Sequence, residues 1–347
     1  MITSKEWRFW LRTLGHPQNE RAPRRTPVGL AAMHVSGAAP KLGRIKIISR
    51  NGIFLQTTER WPIGAIVPLT LQRVSAGERD SEFQLDVRAR VASYGEDGVG
   101  LGFVLPKGLN SGLWEHVIDS ADTPDETEDV QFIFRMVRAI LFIYRLCPAK
   151  AEEPVHQITG ELDEFRTANM LTIAMVAEKM LSERPDSVEK HAHPHIVADI
   201  LRNGSWEKDD ATQRMWAGLL VSSCDEHGTD ESNRDLVDLL VEVTTSQVHI
   251  LIDGCRRSAE RWLSTDGSAS LPIILDQQEM IRVTGMYDVY RNATDVAYLH
   301  NLGLIERNFD FSTHSSSTDF DVTPTVLGMR LYRTCLGNLI EDAVSSS

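Results

Sequence analysis

Short runs of alternating apolar and polar residues occupy the first third of the chain, from residue 26 to residue 105. An alternation with a period of two is typical of β-strands, whose successive side chains point to opposite faces of a sheet. Turn signals such as Asn51-Gly52 separate the runs and favour short hairpins. The pattern predicts a small antiparallel barrel with strands at 28–35, 44–49, 53–57, 66–73, 83–94 and 98–105.

Beyond residue 130 the apolar residues recur at spacings of three and four, which is typical of helices. The segment between the two patterns, 120–129 (SADTPDETED), is polar and acidic and therefore indicates a linker. A Ser-capped helix at 111–119 is expected to close the end of the barrel. Further helices are predicted at 130–146, 160–182, 195–201, 209–224, 231–263, 287–302 and 324–336.

These patterns predict an α+β protein of several domains, in which a small β-barrel precedes a mostly α-helical domain. The end of the helical domain, 287–336, resembles a winged helix, because a helix, two strands and a closing helix are predicted there. The expected order is an N-terminal helix and arm at 1–17, the barrel with its terminal helix at 18–119, the linker at 120–129 and the helical domain at 130–340.

Charge is distributed unevenly along the chain. The net charge is −13, yet residues 1–107 carry 16 Lys and Arg against 9 Asp and Glu, so only this part is suited to anionic ligands. Alternatively, a basic domain beside an acidic one serves solubility alone. In the winged-helix segment acids outnumber Arg291, and no duplex nucleic acid is expected as a partner, because phosphate contacts dominate such binding. These acids are Asp288, Asp295, Asp310, Asp319 and Asp321.

Two arginines four residues apart, Arg21 and Arg25, precede the first predicted strand. Pro17 and Pro23 disfavour a helix there, so the arginines are expected on an extended arm. Such an arm can present planar guanidinium groups to guanine edges and to phosphates. A solvated basic linker would have the same composition.

A turn at the end of the second predicted strand combines Ser49 with Gly52. The hydroxyl can form hydrogen bonds, and the glycine lets a flat ligand approach the backbone. A plain β-turn would explain the same residues. Together, the arm and the turn resemble the two-part signature of the PilZ family, which is Arg-x-x-x-Arg before the first strand and an acid or Asn, x, Ser, x, x, Gly after the second.

The resemblance covers about ninety residues of the chain and implies a barrel that binds cyclic di-GMP. No other cofactor is expected, and the helical domain would pass the signal to an unknown protein partner. The residues that match the signature are Arg21, Arg25, Ser49 and Gly52, and additional phosphate contacts are expected from Arg24, Arg44 and Arg50.

Ile47 departs from the family pattern, because it stands where an acid or Asn usually accepts a hydrogen bond from guanine. An apolar residue there leaves a guanine donor unpaired, at a cost of about 1–3 kcal/mol. The alternative is a degenerate barrel that contacts proteins and binds no nucleotide.

The helical domain contains the segment 214–226, RMWAGLLVSSCDE, followed by the apolar positions of 236–243. An amphipathic core helix would account for the first segment. The two segments also resemble helical proteins of the abortive-infection alpha type. This resemblance implies a module for phage defence or a toxic effector.

Several functions are not expected from the sequence. His191, His193 and His195 alternate around Pro194 without nearby cysteines, which leaves no complete ligand set, so no metal is predicted. No nucleophile with a matching base and no Gly-rich phosphate loop occurs, and no enzyme is predicted. Four cysteines without a CxxC pair fit a reducing cytoplasm. The apolar stretch 130–146 carries three arginines and predicts a buried helix, not a membrane span.

Overall fold

The structure is a computed structural model that divides the chain into two compact units, Met1–Glu164 and Phe165–Ser347. It describes residues 30–36, 39–74, 79–106, 109, 111–120, 128–148, 150–159, 163–184, 189–264, 272–306 and 319–336. The predicted helix and arm at 1–17 lie outside the described residues, as does 121–127 of the predicted linker. The domain boundaries given by the sequence therefore stay predictions.

The described part of the first unit contains a closed barrel of six antiparallel strands in the order β1-β2-β3-β6-β5-β4. This confirms the predicted fold class of a barrel followed by a mostly helical region. The strands are β1 Leu30–Ser36, β2 Ala39–Ser49, β3 Gly52–Gln56, β4 Ile66–Val74, β5 Arg79–Tyr94 and β6 Gly98–Phe103.

The barrel closes because every second residue of its strands is apolar and points inward. In β4 the inward residues are Val67, Leu69 and Leu71, each less than 5% exposed. Strand β5 begins earlier than predicted, since its polar first residue Arg79 still pairs with Val74 of β4. Backbone pairing extends the sheet where the alternation of side chains has already ended.

Three helices follow the barrel within the first unit: α1 Ser111–Ser120, α2 Glu128–Leu146 and α3 Glu152–Thr159. Helix α1 buries Leu113 and Trp114 and packs on α2, which also contacts β5. The first unit thus extends beyond the barrel through α2 and α3. Within the described ranges, no helix combines the length and the apolar character needed to cross a bilayer.

The second unit is built mainly from helices. A single helix predicted at 231–263 is in fact two, because the chain breaks at Val243 and the backbone N–H of Thr244 is capped by Gln247 Oε1 at 3.0 Å. The helices are α4 Glu164–Ser182, α5 Pro194–Gly204, α6 Asp210–Ser222, α7 Arg234–Glu242, α8 Thr245–Ser264, α9 Gln277–Thr284, α10 Val289–Asn301 and α11 Val326–Leu336. Two short strands, β7 His191–Ala192 and β8 Cys224–Asp225, pair with each other.

Helices α6 and α11 cross closely in the core of the second unit. A Cβ atom on Gly218 of α6 would lie 1.6 Å from the carbonyl oxygen of Cys335 of α11, so only glycine permits this approach. Trp216 and Leu219 of α6 are also almost fully buried. The last described helix is therefore an integral part of the core.

The end of the second unit, where the sequence predicts a winged-helix-like segment at 287–336, includes the short strands β9 and β10 besides its helices. Strand β9 Ile274–Leu275, between α8 and α9, pairs with β10 Phe320–Asp321. Ile305, directly after α10, forms an isolated bridge with Pro324. The described elements follow the order α8, β9, α9, α10, β10 and α11, and the winged-helix interpretation stays a prediction.

Candidate functional site

The turn between β2 and β3 carries the residues that match the PilZ signature inside the described chain. Ser49 and Gly52 face each other across the turn. The Ser49 hydroxyl donates a hydrogen bond to the carbonyl of Gly52 at 3.3 Å and accepts one from the backbone N–H of Asn51 at 3.4 Å. The serine is half-buried and stabilises the turn itself.

Gly52 also has a structural reason to be glycine. A Cβ atom at this position would lie 2.2 Å from the carbonyl oxygen of Leu101 in the neighbouring strand β6. The close approach of two strands therefore requires a residue without a side chain, whether or not a ligand binds nearby.

Arg50 connects the turn to helix α1. Its carbonyl accepts a hydrogen bond from Trp114 Nε1 at 3.0 Å, and its guanidinium lies 3.5 Å from Glu115 Oε2. The ion pair offsets part of the positive charge that the sequence assigns to this turn. Arg50 is thus engaged on the side of the turn that faces α1.

Ile47 lies on the outer surface of the barrel and is 39% exposed. The register of β2 against β3 shifts between Ile45 and Ile47, and this irregularity leaves both Lys46 and Ile47 exposed. Lys46 forms an ion pair with Asp97, and their hydrogen bond lowers the pKa of the Asp97 carboxyl. An acidic side chain at position 47 would therefore project from the surface and not into the core.

The structure brings Ile47, Ser49, Arg50 and Gly52 together at one end of β2, and Arg44 lies exposed on the same strand opposite Gln56. The remaining residues assigned to cyclic di-GMP, which are Arg21, Arg24 and Arg25, lie outside the described residues. Their contact with the turn stays a prediction.

A second candidate site, which the sequence reasoning did not identify, is a cleft of about 360 Å³ between α8 and α9. The cleft residues on α8 recur at spacings of three and four, and this pattern is visible in the sequence. The helix that faces them, α9, was not predicted from the sequence. The cleft is lined by His249, Ile252, Asp253, Arg256, Arg257, Glu279, Arg282 and Val283.

Carboxylates hold two of the cleft arginines in place. Asp253, only 9% exposed, accepts from Arg256 at 2.6 Å and from Arg257 at 2.7 Å. Arg257 also donates to Glu279 of α9 at 2.9 Å, which joins the two helices. These hydrogen bonds raise the pKa of both guanidinium groups and, through Arg257, lower the pKa of Glu279.

Asp209, the N-cap residue of α6, holds His249 in position. His249 Nε2 lies 3.0 Å from Asp209 Oδ2, while Asp209 Oδ1 accepts from the backbone N–H of Thr212 at 2.9 Å. Burial raises the pKa of Asp209, but the hydrogen bonds from Thr212 and His249 outweigh it, so the pKa lies below its usual value. A carboxylate that orients a histidine fixes the direction of the ring.

Of the alternating histidines, His193 and His195 have ring centroids 5.4 Å apart. His193 Nδ1 lies 3.2 Å from Glu231 Oε1, whereas His191 belongs to strand β7. Across the described residues, no group of three or more His, Cys, Asp or Glu side chains is arranged to hold a metal ion. Burial raises the pKa of the Cys255 thiol to about 12 and also raises that of Cys335, so both thiols stay protonated at neutral pH.

Comparison with known proteins gives one family match. No curated protein matches the chain, and no PilZ family model matches the barrel. The family model described as abortive infection alpha matches residues 168–335. This range runs from α4 to α11 and confirms the resemblance of 214–226 and 236–243. The second unit of the chain is therefore similar to abortive infection alpha proteins.

Proposed function

We propose that the chain is a phage-defence protein in which the second unit provides the output and the barrel is a docking module for another protein. The observation that carries the proposal is the match of the abortive infection alpha family to 168–335, which covers most of the second unit. Abortive infection implies that an infected cell stops growing before the phage is released.

Two properties of the barrel favour a docking role without nucleotide. Gly52 and Arg50 have structural roles of their own, and Ile47 stands where a guanine acceptor is expected. In addition, the described barrel surface exposes large apolar side chains, among them Leu42 at 61% and Ile63 at 63%. A protein docked over Leu42 or Ile63 would remove this apolar surface from water, which stabilises a complex.

The winged-helix end favours a protein partner over duplex DNA. Tyr287 and Tyr290, at the start of α10, are 81% and 88% exposed, and Asp288 lies between them. Tyrosine is enriched at protein interfaces, whereas DNA binding requires a surplus of positive charge. Of the acids noted in the sequence, Asp295 is only 2% exposed and pairs with Ser246 and Gln247.

Phage challenge tests this function. Bacteria that express the full chain should form at least tenfold fewer plaques than control cells when they are exposed to a panel of phages, and infected cells should stop dividing. The variant Leu42→Asp should lose most of this protection, while Thr58→Asp, also on the exposed surface, should keep it. Equal plaque numbers with and without the parent protein across the panel would refute the defence function.

A cyclic di-GMP sensor is a second candidate, favoured by Ser49 and Gly52 at the β2–β3 turn and by the exposed Arg44 on the same strand β2. Calorimetric titration of the full chain tests it. Arg21→Ala and Arg25→Ala should each weaken binding at least tenfold, because each removes a charge-assisted contact worth about 1.5–3 kcal/mol.

The matched control for this titration is Arg60→Ala, since Arg60 bonds to the nearby carbonyl of Thr57 away from the β2–β3 turn. It should bind like the parent. Ile47→Asp should tighten binding by about 1–3 kcal/mol if its carboxylate reaches a guanine donor. Absence of binding by both the parent and Ile47→Asp would exclude the sensor and leave the docking module.

A further inference from the structure

We infer that the cleft between α8 and α9 binds a small phosphorylated molecule of the nucleoside monophosphate class. This inference concerns the second unit alone and does not depend on the function proposed for the barrel. It follows from the charge of the cleft, the orientation of its arginines and its size.

The cleft is positive within an acidic part of the chain. Residues 165–347 carry 16 Lys and Arg against 28 Asp and Glu. The cleft lining, by contrast, has three arginines and two carboxylates, those of Asp253 and Glu279. Glu260, outside the lining, pairs with Arg256 at 3.0 Å, so the positive charge that no described carboxylate balances is that of Arg282. A local surplus of positive charge against the sign of its surroundings favours an anionic ligand.

The ion pairs orient the arginines but do not use all the N–H donors of their guanidinium groups. A guanidinium has five N–H donors, and Arg257 uses Nε and one terminal nitrogen toward Asp253 and Glu279. No described residue is hydrogen-bonded to its other terminal nitrogen, which can therefore donate to a ligand that enters the cleft. Arg282 is exposed, and no described residue forms an ion pair with its guanidinium. Planar donors of this kind match the several oxygens of a phosphoryl group.

Size and walls favour a small molecule with an apolar part. The volume of about 360 Å³ lies at the lower end of the range of small-molecule sites, roughly 300–1,000 Å³. Ile252 and Val283 are partly buried and provide apolar surface on either helix, against which a planar base can lie. His249, held by Asp209, adds a further polar group.

Calorimetric titration of the full chain with AMP, GMP, adenosine and inorganic phosphate tests the inference. AMP or GMP should bind, and adenosine, which lacks the phosphoryl group, should bind at least tenfold more weakly. Arg282→Gln should weaken nucleotide binding at least tenfold, because it removes one charged contact. The control Arg214→Gln changes an exposed arginine of α6 outside the cleft and should stay within twofold of the parent.

Several results separate this ligand chemistry from its alternatives. In one of them, inorganic phosphate binds as tightly as GMP and loses the same affinity in the variant Arg282→Gln. That result would support a phosphoryl site but overturn the assignment to nucleotides. Binding of GMP that is unchanged in Arg282→Gln would place the nucleotide elsewhere and overturn the inference. No binding of AMP, GMP or phosphate would also overturn it and identify the arginines as a structural network that joins α8 to α9.

Discussion

Trp114 Nε1 donates a hydrogen bond to the carbonyl of Arg50 at 3.0 Å, and this contact joins helix α1 to the β2–β3 turn. Trp114 is 1% exposed, and its ring meets that of Phe103 edge-on with centroids 5.1 Å apart. Because Arg50 lies between Ser49 and Gly52 in the chain, the tryptophan also supports the turn that carries the PilZ-like residues.

Replacement of this tryptophan should destabilise the first unit. Trp114→Phe removes the donor to Arg50 and leaves a part-buried carbonyl unpaired, so the free energy of unfolding should fall by about 1–3 kcal/mol. Urea denaturation of the full chain measures this change. Trp206→Phe is the matched control, because Trp206 is 62% exposed and should change stability by no more than about 0.5 kcal/mol. Equal effects of the two substitutions would contradict a role for the hydrogen bond.

The neighbouring residues Ile47 and Ile48 should respond in opposite ways to a carboxylate. Ile47→Asp should change the free energy of unfolding by no more than about 0.5 kcal/mol, since Ile47 is 39% exposed. Ile48 is fully buried, so Ile48→Asp should cost several kcal/mol or prevent folding. The melting temperatures of the two variants test this prediction. A large fall in the melting temperature of Ile47→Asp would show that the register of β2 differs.

Most of the barrel was predictable because its signal is local. The alternation of Val67, Leu69 and Leu71 suffices to predict β4, and Asn51-Gly52 marks the turn before β3. The break between α7 and α8 contains no Gly or Pro, so the sequence does not predict it. The break depends on the hydrogen bond from the Thr244 backbone N–H to the Gln247 side chain, which competes with helical hydrogen bonding only in the folded chain. The cleft could not be predicted, because it arises where α8 packs against the short helix α9.

Enlarging Gly218 should disrupt the second unit. Gly218→Ala would place a methyl group within 1.6 Å of the Cys335 carbonyl oxygen, and separating α6 from α11 should cost about 3 kcal/mol or more. Thermal unfolding of the variant measures the loss. Gly102→Ala is a suitable comparison, because a Cβ atom there meets its nearest neighbour at 3.8 Å, and it should be close to neutral.

Loss of the Asp209 carboxylate should alter the pH dependence of stability. The folded state lowers the pKa of Asp209, so its contribution is present above the unfolded pKa near 3.8 and is lost as the pH falls through the lower folded pKa. Asp209→Ala also removes the cap of α6 and should cost about 0.5–2 kcal/mol at pH 7.

Urea denaturation between pH 7 and pH 2.5 tests this prediction. The stability difference between the parent and Asp209→Ala should shrink toward the acid end of the range, because the protonated parent loses the same interactions. The control is Asp210→Asn, at the next residue, which is exposed. This substitution should leave the fall in the free energy of unfolding at acid pH unchanged. A difference that stays constant with pH would contradict an ionised cap.

The contact of Gly218 with Cys335 sets an order of events during synthesis. The barrel has all its strands once Phe103 has been made, whereas α6 cannot complete its packing until α11, which begins at Val326, has left the ribosome. About 220 residues separate these points, which at roughly 5–20 residues per second is a delay of about 10–45 s. The barrel of the first unit can therefore be complete while the second unit still lacks the last helix of its core.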